Sequence, residues 1–175
     1  MKTKRLLLRR FIEQDDADLF DYLSDERVVK YEPYPPQTRE QCKERVHLYA
    51  QSPDFWAVCL TDTGKVIGTI YLAEREQFSM EVGYVFNYAY QHKGYATEAL
   101  WNLLSLFFSE KGVHRIYAQC NPENSASWRL LERLGFTQEG RLRSNIFFNS
   151  TEEGLPIWQD TFVYGLLENE LKVFE

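Results

Sequence analysis

Residues 80–107 open with Met80-Glu81-Val82-Gly83-Tyr84-Val85-Phe86, continue as Asn87-Tyr88-Ala89-Tyr90-Gln91-His92-Lys93, and then run from Gly94-Tyr95-Ala96-Thr97-Glu98-Ala99-Leu100 to Phe107. The first part alternates, with Met80, Val82 and Tyr84 on one face and Glu81, Gly83 and Val85 on the other, which is the period of a strand. In the third part Ala96, Ala99, Leu100, Leu103, Leu104 and Phe107 recur at helical spacing, predicting an amphipathic helix. Gly112 stands where a left-handed C′ residue belongs, after Lys111 in a last turn that favours a cation. A helix start carries unpaired N–H groups and partial positive charge, and Gly94 and Ala96 leave an anion room to approach the backbone. Three or four charge-assisted bonds of roughly 1.5–3 kcal/mol each would anchor a pyrophosphate there without a full set of basic side chains. An ordinary glycine-containing loop entering a helix explains the same stretch as well.

Outward from this segment the periodicities extend the pattern. Upstream, Arg5–Phe11 reads as a strand and Asp15–Asp25 as a helix with Ala17, Phe20 and Leu23 on one face. Pro33, Pro35 and Pro36 interrupt the pattern, and Thr38 with Gln41 forms a capping box for a helix to about Gln51. Strands over Phe55–Thr61 and Lys65–Ala73 flank the turn residues Asp62, Thr63 and Gly64. Downstream, Arg115–Asn121 reads as a strand. Asn124 or Ser125 caps a helix ending at Gly135, where Phe136 packs back on Leu131. Arg141–Phe148 and Ile157–Leu167 read as the last strands. The order β-α-α-β-β-β-α-β-α-β-β predicts a mixed sheet covered by helices.

The chain has 175 residues, 44% of them apolar, with 4 Trp, 11 Tyr and 12 Phe, which suits one globular domain over residues 1–175. A net charge of −6 argues against a nucleic-acid backbone as partner and suits a cationic one. Leu6, Leu7 and Leu8 are too short for a signal-peptide core and no run reaches a membrane span, so a cytoplasmic protein without a membrane partner is expected. Cys42, Cys59 and Cys120 match neither a disulfide framework nor a metal site. No two of the 9 glycines stand two residues apart, so the dinucleotide fingerprint is absent, as are a Gly-Lys-Ser/Thr loop and a Gly-x-Ser-x-Gly elbow.

Gln91, Gly94 and Ala96 match the Gln/Arg-x-x-Gly-x-Gly/Ala pyrophosphate motif of the GNAT superfamily of N-acetyltransferases, and Gln91–Leu100 resembles its RimJ/RimL branch. Asn124, Ser127, Glu132, Gly135 and Phe136 resemble that branch's Asn-x-x-Ser helix ending in Gly-Phe. Glu139, Gly140, Arg141, Asp160, Phe162 and Tyr164 resemble its closing strands. The likeness covers nearly the whole chain in order. It implies an α/β (α+β) fold with a mixed, mostly antiparallel central sheet of about seven strands flanked by about four helices.

The resemblance also implies acetyl-CoA as cosubstrate, no metal, and direct attack of a primary amine on the thioester in a ternary complex. Backbone groups near Val85 and Phe86 would bind the pantetheine arm, and Asn124 its amides. Gln91, His92, Lys93, Gly94, Tyr95, Ala96 and Thr97 would form the pyrophosphate loop, Lys93 lending charge. Glu81 stands where family members place a carboxylate that takes the amine proton, worth ~10²–10⁴-fold in rate, although a solvated strand charge explains it equally. The family's general-acid tyrosine is absent, Leu131 standing in its place, and the branch's serine points to Ser127 instead. Glu98 reads as a dipole partner of the helix start. The amine would enter near Tyr31, Glu32, Tyr34 and the segment Ser144–Trp158, and aromatics with carboxylates suit a protein N-terminus, an amino sugar or a polyamine alike. The resemblance allows a homodimer. A non-catalytic acyl-CoA-binding module is the alternative, opposed by the presence of Glu81 and Ser127.

Overall fold

The computed structural model describes residues 1–172. Seven strands, β1 (Leu6–Arg9), β2 (Phe55–Leu60), β3 (Val66–Glu76), β4 (Ser79–Phe86), β5 (Arg115–Cys120), β6 (Thr137–Ser150) and β7 (Pro156–Leu167), form one sheet. Its order is β1-β2-β3-β4-β5-β7-β6, and every pairing is antiparallel except β4 with β5. Five helices accompany it: α1 (Asp16–Leu23), α2 (Glu26–Val29), α3 (Arg39–Gln51), α4 (Tyr95–Lys111) and α5 (Ser125–Leu134). The mixed fold is therefore the one the resemblance implies. Among the described residues no helix is long and apolar enough to cross a membrane.

Strand alternation divides the interior into two layers. Leu100, Leu103 and Leu104 of α4 and Leu130, Leu131 and Leu134 of α5 pack with Met80, Val82, Ile116 and Leu166 on one face of the sheet. Leu19, Tyr22 and Leu23 of α1 and Cys42 and Val46 of α3 pack with Ala57, Cys59 and Val66 on the other. Each such aliphatic side chain contributes roughly 1.5–3 kcal/mol on full burial. The caps fall where the residues predict. Gln41 N–H donates to Thr38 Oγ1 at 3.3 Å and Thr38 N–H to Gln41 Oε1 at 2.8 Å. At the end of α5, Gly135 turns left-handed (φ 108°) and Phe136 N–H reaches the Leu131 carbonyl at 3.1 Å.

The helix expected over Asp15–Asp25 is a 3-10 turn (Glu13–Asp15) followed by α1 and α2. Asp15 is buried and accepts two bonds from the Arg9 guanidinium, each 2.7 Å, so it closes the preceding turn and α1 starts after it. Ala17 is consequently exposed, and Leu19, Tyr22 and Leu23 make the apolar face. The second break comes at Asp25, whose side chain accepts Arg27 N–H at 2.9 Å and starts α2. The first strand is shorter than its apolar run suggests. β6 begins earlier than Arg141 because its pairing continues down to Thr137 opposite Gly165.

Candidate active site

β4 and β5 pair only at Ser79–Glu81 with Arg115–Tyr117, and then part. Each follows its own antiparallel neighbour, β4 staying with β3 to Phe86 and β5 with β7 to Cys120. The fork opens a cleft of about 1360 Å³ lined by Val82–Phe86, by Ala118–Asn121, and by the starts of α4 and α5. On the far side of β4 lies a second pocket of about 590 Å³, walled by Tyr34, Arg45, Tyr49, Phe55, Tyr71, Arg75 and Glu81. Glu32, Val82, Gly83, Tyr84 and Val85 border both cavities.

The cleft ends on the α4 N-terminus. Gly94 caps it in the left-handed region (φ 79°), and the first bond runs from Glu98 N–H to the Gly94 carbonyl at 3.0 Å. Tyr95, Ala96 and Thr97 therefore present N–H groups without an acceptor inside the helix. Val85, Phe86, Gln91, His92, Gly94, Tyr95, Ala96, Thr97 and Asn124 all line this cleft. Gln91 Nε2 ties the loop to the strand end by donating to the Phe86 carbonyl at 3.3 Å. Lys93 is the exception: its Nζ folds back on the Ala89 carbonyl at 2.9 Å and it is not part of the lining. Arg5, Arg27, Arg129 and Arg133 line the cleft in its stead. They come from three separate places in the chain, Arg129 and Arg133 sharing one face of α5, so no single local motif announces the set. Arg5 donates to the Lys93 carbonyl at 2.9 Å and to Glu98 Oε2 at 2.6 Å. Glu98 is held by the chain start, partners beyond the helix dipole that its position suggested. Burial opposes its charge, but bonds from Thr3 and Arg5 outweigh that and hold its carboxyl below the usual value. Backbone donors at a helix start ringed by guanidinium groups fit a diphosphate with a further phosphate.

Ser127 stands in the first turn of α5, where Asn124 Oδ1 accepts its N–H at 3.2 Å. Its Oγ lies 3.0 Å from the Tyr84 hydroxyl, which also donates to the Ser127 carbonyl at 3.1 Å. Burial drives the Tyr84 hydroxyl well above the usual tyrosine value, so it stays protonated. Sequence reading missed this partner because the two residues lie 43 positions apart. The Cys120 thiol, at the same cleft, is pushed up to about 11 by burial, which leaves it a poor nucleophile.

In the second pocket Tyr49 stacks on Phe55 with centroids 3.9 Å apart, and Phe55 tilts against Tyr71 at 5.1 Å. Glu81 stands at the fork, its carboxylate held by Arg75 Nε at 2.9 Å. Burial pushes the Glu32 carboxyl up to about 7, against the lowering effects of Tyr34 and Arg45. Tyr31 lines the cleft and donates to the Glu123 carbonyl at 3.2 Å, whereas Tyr34 faces only the second pocket. Of the segment Ser144–Trp158, only Phe148 reaches the cleft and none lines the second pocket. Among the described residues no cluster of three His, Cys, Asp or Glu could hold a metal ion.

Two cavities meeting across one strand, one with an anion-binding end and one aromatic with charges of both signs, describe a two-substrate group-transfer site. Comparison with known proteins gives the family. The model described as "Acetyltransferase (GNAT) domain" matches residues 5–137. The chain is 37% identical to the uncharacterized N-acetyltransferase YnaD of Bacillus subtilis, over 96% of each chain. It superposes on the crystal structure of a GNAT-family acetyltransferase from Bacillus anthracis with a TM-score of 0.88 and 34% identity, over 97% of this chain and 99% of that one. The ribosomal protein uS5-alanine N-acetyltransferase of Escherichia coli is 28% identical over 95% of this chain and 89% of its own length. The chain belongs to the GNAT acetyltransferase family. It is an N-acetyltransferase that takes its acetyl group from acetyl-CoA.

Proposed function

We propose that residues 1–175 act as one cytoplasmic N-acetyltransferase domain of the RimJ/RimL branch, transferring acetyl to a primary amine by direct attack in a ternary complex. The observation that carries this reading is the strand Val82–Val85, which borders the cleft and the second pocket at once and so brings thioester and amine together. The motif at Gln91, Gly94 and Ala96 and the likeness to an alanine N-acetyltransferase support the branch. A non-catalytic acyl-CoA module finds no support among the relatives, which are described as N-acetyltransferases.

In this reading the α4 start, with Arg5, Arg129 and Arg133, holds the phosphates, and the Val85–Phe86 backbone and Asn124 hold the pantetheine arm. Glu81, fixed by Arg75 at the fork, takes the amine proton through water. The amine nitrogen then bonds to the acetyl carbon as the carbon–sulfur bond breaks. Ser127, backed by the Tyr84 hydroxyl, gives a proton to the departing thiolate and is reprotonated by the second proton that the nitrogen sheds as it becomes an amide. One observation favours a second assignment of the base: Glu32 borders both cavities and its carboxyl titrates near neutrality, where a general base works best. A homodimer through the outer end of β6 and β7 completes the proposal.

The test is release of CoA thiol from acetyl-CoA in the presence of primary amines. Ser127→Ala and Glu81→Gln should each lower kcat by about 10²-fold or more. Wild-type rates in both would overturn these roles. The pH dependence of kcat/KM separates the two carboxylates. An acidic limb near 7 that disappears in Glu32→Gln but survives in Glu81→Gln assigns the base to Glu32, and a limb near 7 that survives Glu32→Gln rejects that assignment.

A further inference from the structure

The second pocket contains two charge pairs of opposite kinds. Arg75 and Glu81 are closed on each other at 2.9 Å. Arg45 and Glu32 are not: among the described residues neither makes an ion pair, although Arg45 is half-buried and Glu32 more so. Arg45 rests 4.2 Å above the Tyr34 ring and donates to the Tyr49 hydroxyl at 3.2 Å and to Gln37 Oε1 at 3.1 Å. Those bonds fix its plane and satisfy two of its five donors. Tyr34, which also acts on the Glu32 carboxyl, stands between the two charges. A carboxylate and a guanidinium withdrawn from water and held only by neutral partners are each costly, and a ligand that supplies both missing counter-charges relieves both costs.

Resting on the N-acetyltransferase reading above, we infer that the acceptor is a zwitterion, an amine carrying its own carboxylate a few bonds away, with its ammonium at Glu32 and its carboxylate at Arg45. The direction follows from the walls. Glu32 borders the cleft where the thioester must lie, whereas Arg45, on α3, borders only the second pocket. A free amino acid with an apolar side chain meets these terms, since Leu23, Tyr49, Phe55 and Tyr71 complete the lining. A polyamine does not: its second cation would meet Arg45, which has no carboxylate paired with it. The transfer balances as R–NH3⁺ plus acetyl-CoA giving N-acetyl-R, CoA thiol and one proton released to solvent.

The experiment is acetyl-CoA consumption by the full chain with apolar amino acids, the matching amino-acid carboxamides, and spermidine. The free acids should exceed their carboxamides in kcat/KM by at least about tenfold, the worth of one charge-assisted bond. In Arg45→Met the acid-to-amide ratio should fall to near one through the KM of the acid, and Arg45→Lys should restore part of it. Better turnover of carboxamides or spermidine, or an unchanged ratio in Arg45→Met, overturns the inference while leaving the acetyltransferase reading intact. Absence of turnover with every amine overturns both. Circular dichroism of each variant reports whether Arg45 is needed for folding, and a preference for carboxamides in the wild type refutes the inference without any variant.

Discussion

Glu32 concentrates the chemistry of the site in one residue. Its carboxyl is held near 7 by burial, the largest influence, partly offset by Tyr34 and Arg45. Around it stand Tyr31 and Tyr34 of its own segment, Arg45 and Tyr49 of α3, Arg75 of β3, and Glu81 and Tyr84 of β4. A carboxyl raised from 4.5 to about 7 binds more protons folded than unfolded between those values. Folding stability therefore falls as pH rises through that window, by up to about 3 kcal/mol, and the full cost is present above it. Glu32→Gln should accordingly be more stable than wild type at about pH 8 and indistinguishable from it at about pH 4.5, measured by urea unfolding, while acetyl transfer falls. Equal stability differences at both pH values would show that the carboxyl is not strained by burial. The residue is strained in the empty enzyme and relieved by an ammonium, which is the differential a substrate-binding group requires. The sequence placed Glu32 among acceptor residues through its aromatic neighbours. Its protonation and its open pairing with Arg45 depend on α3 closing over it, which no local pattern records.

At the scale of elements, β4, the loop and α4 were legible because each is written in a local period. Two-residue alternation, a polar break and 3.6-residue repetition need no tertiary context. Gly94 and Ala96 left the phosphate end open against an ordinary loop, and the resemblance of Gln91, Gly94 and Ala96 to the family motif is what pointed to it. What stayed hidden is assembled from distant segments: Arg5 from the chain start, Tyr84 against Ser127, and Arg129 with Arg133 on α5. Lys93 shows the converse error, since its charge suggested a phosphate contact but its stem turns back along the loop to Ala89. Gly94→Ala and Lys93→Ala separate these effects. An added Cβ at Gly94 would sit 3.4 Å from Arg5 Nη2, an ordinary contact, so the penalty comes from the backbone, where φ of 79° costs an L-residue about 1–2 kcal/mol. Relaxing φ would re-aim the Tyr95, Ala96 and Thr97 N–H groups. Calorimetric titration should give a Kd for CoA about tenfold weaker in Gly94→Ala and within about twofold of wild type in Lys93→Ala. A larger loss from the lysine variant would show that Lys93 lends charge to the phosphates after all.

Across the whole molecule, charge and apolar surface are each distributed against the average. The chain carries a net −6, yet its cleft gathers Arg5, Arg27, Arg129 and Arg133, so an acidic protein presents a cationic mouth to a polyphosphate. The apolar imbalance lies at the outer end of β6 and β7. There Phe147 and Trp158 meet edge to face at 5.2 Å with Trp158 still 54% exposed, and Leu142, Ile146, Leu155 and Ile157 are exposed beside them. Six large apolar side chains left exposed on one long antiparallel ribbon, two of them in contact, are costly in water and point to an interaction surface. In the proposed homodimer a two-fold axis would set this patch against its own copy, so one substitution acts twice. Sedimentation velocity at about 10 µM should therefore show a dimer for the wild type and a monomer for Phe147→Ser combined with Trp158→Ser. Neither residue lines the cleft or the second pocket, so the paired variant also asks whether assembly matters for turnover. Phe148, the next residue, does line the cleft, and a dimer that fixes the ribbon would fix that wall with it. Loss of the dimer should then raise the KM for acetyl-CoA by a few-fold while kcat holds. A wild-type monomer, or a dimer that persists in the paired variant, rejects this face as the contact.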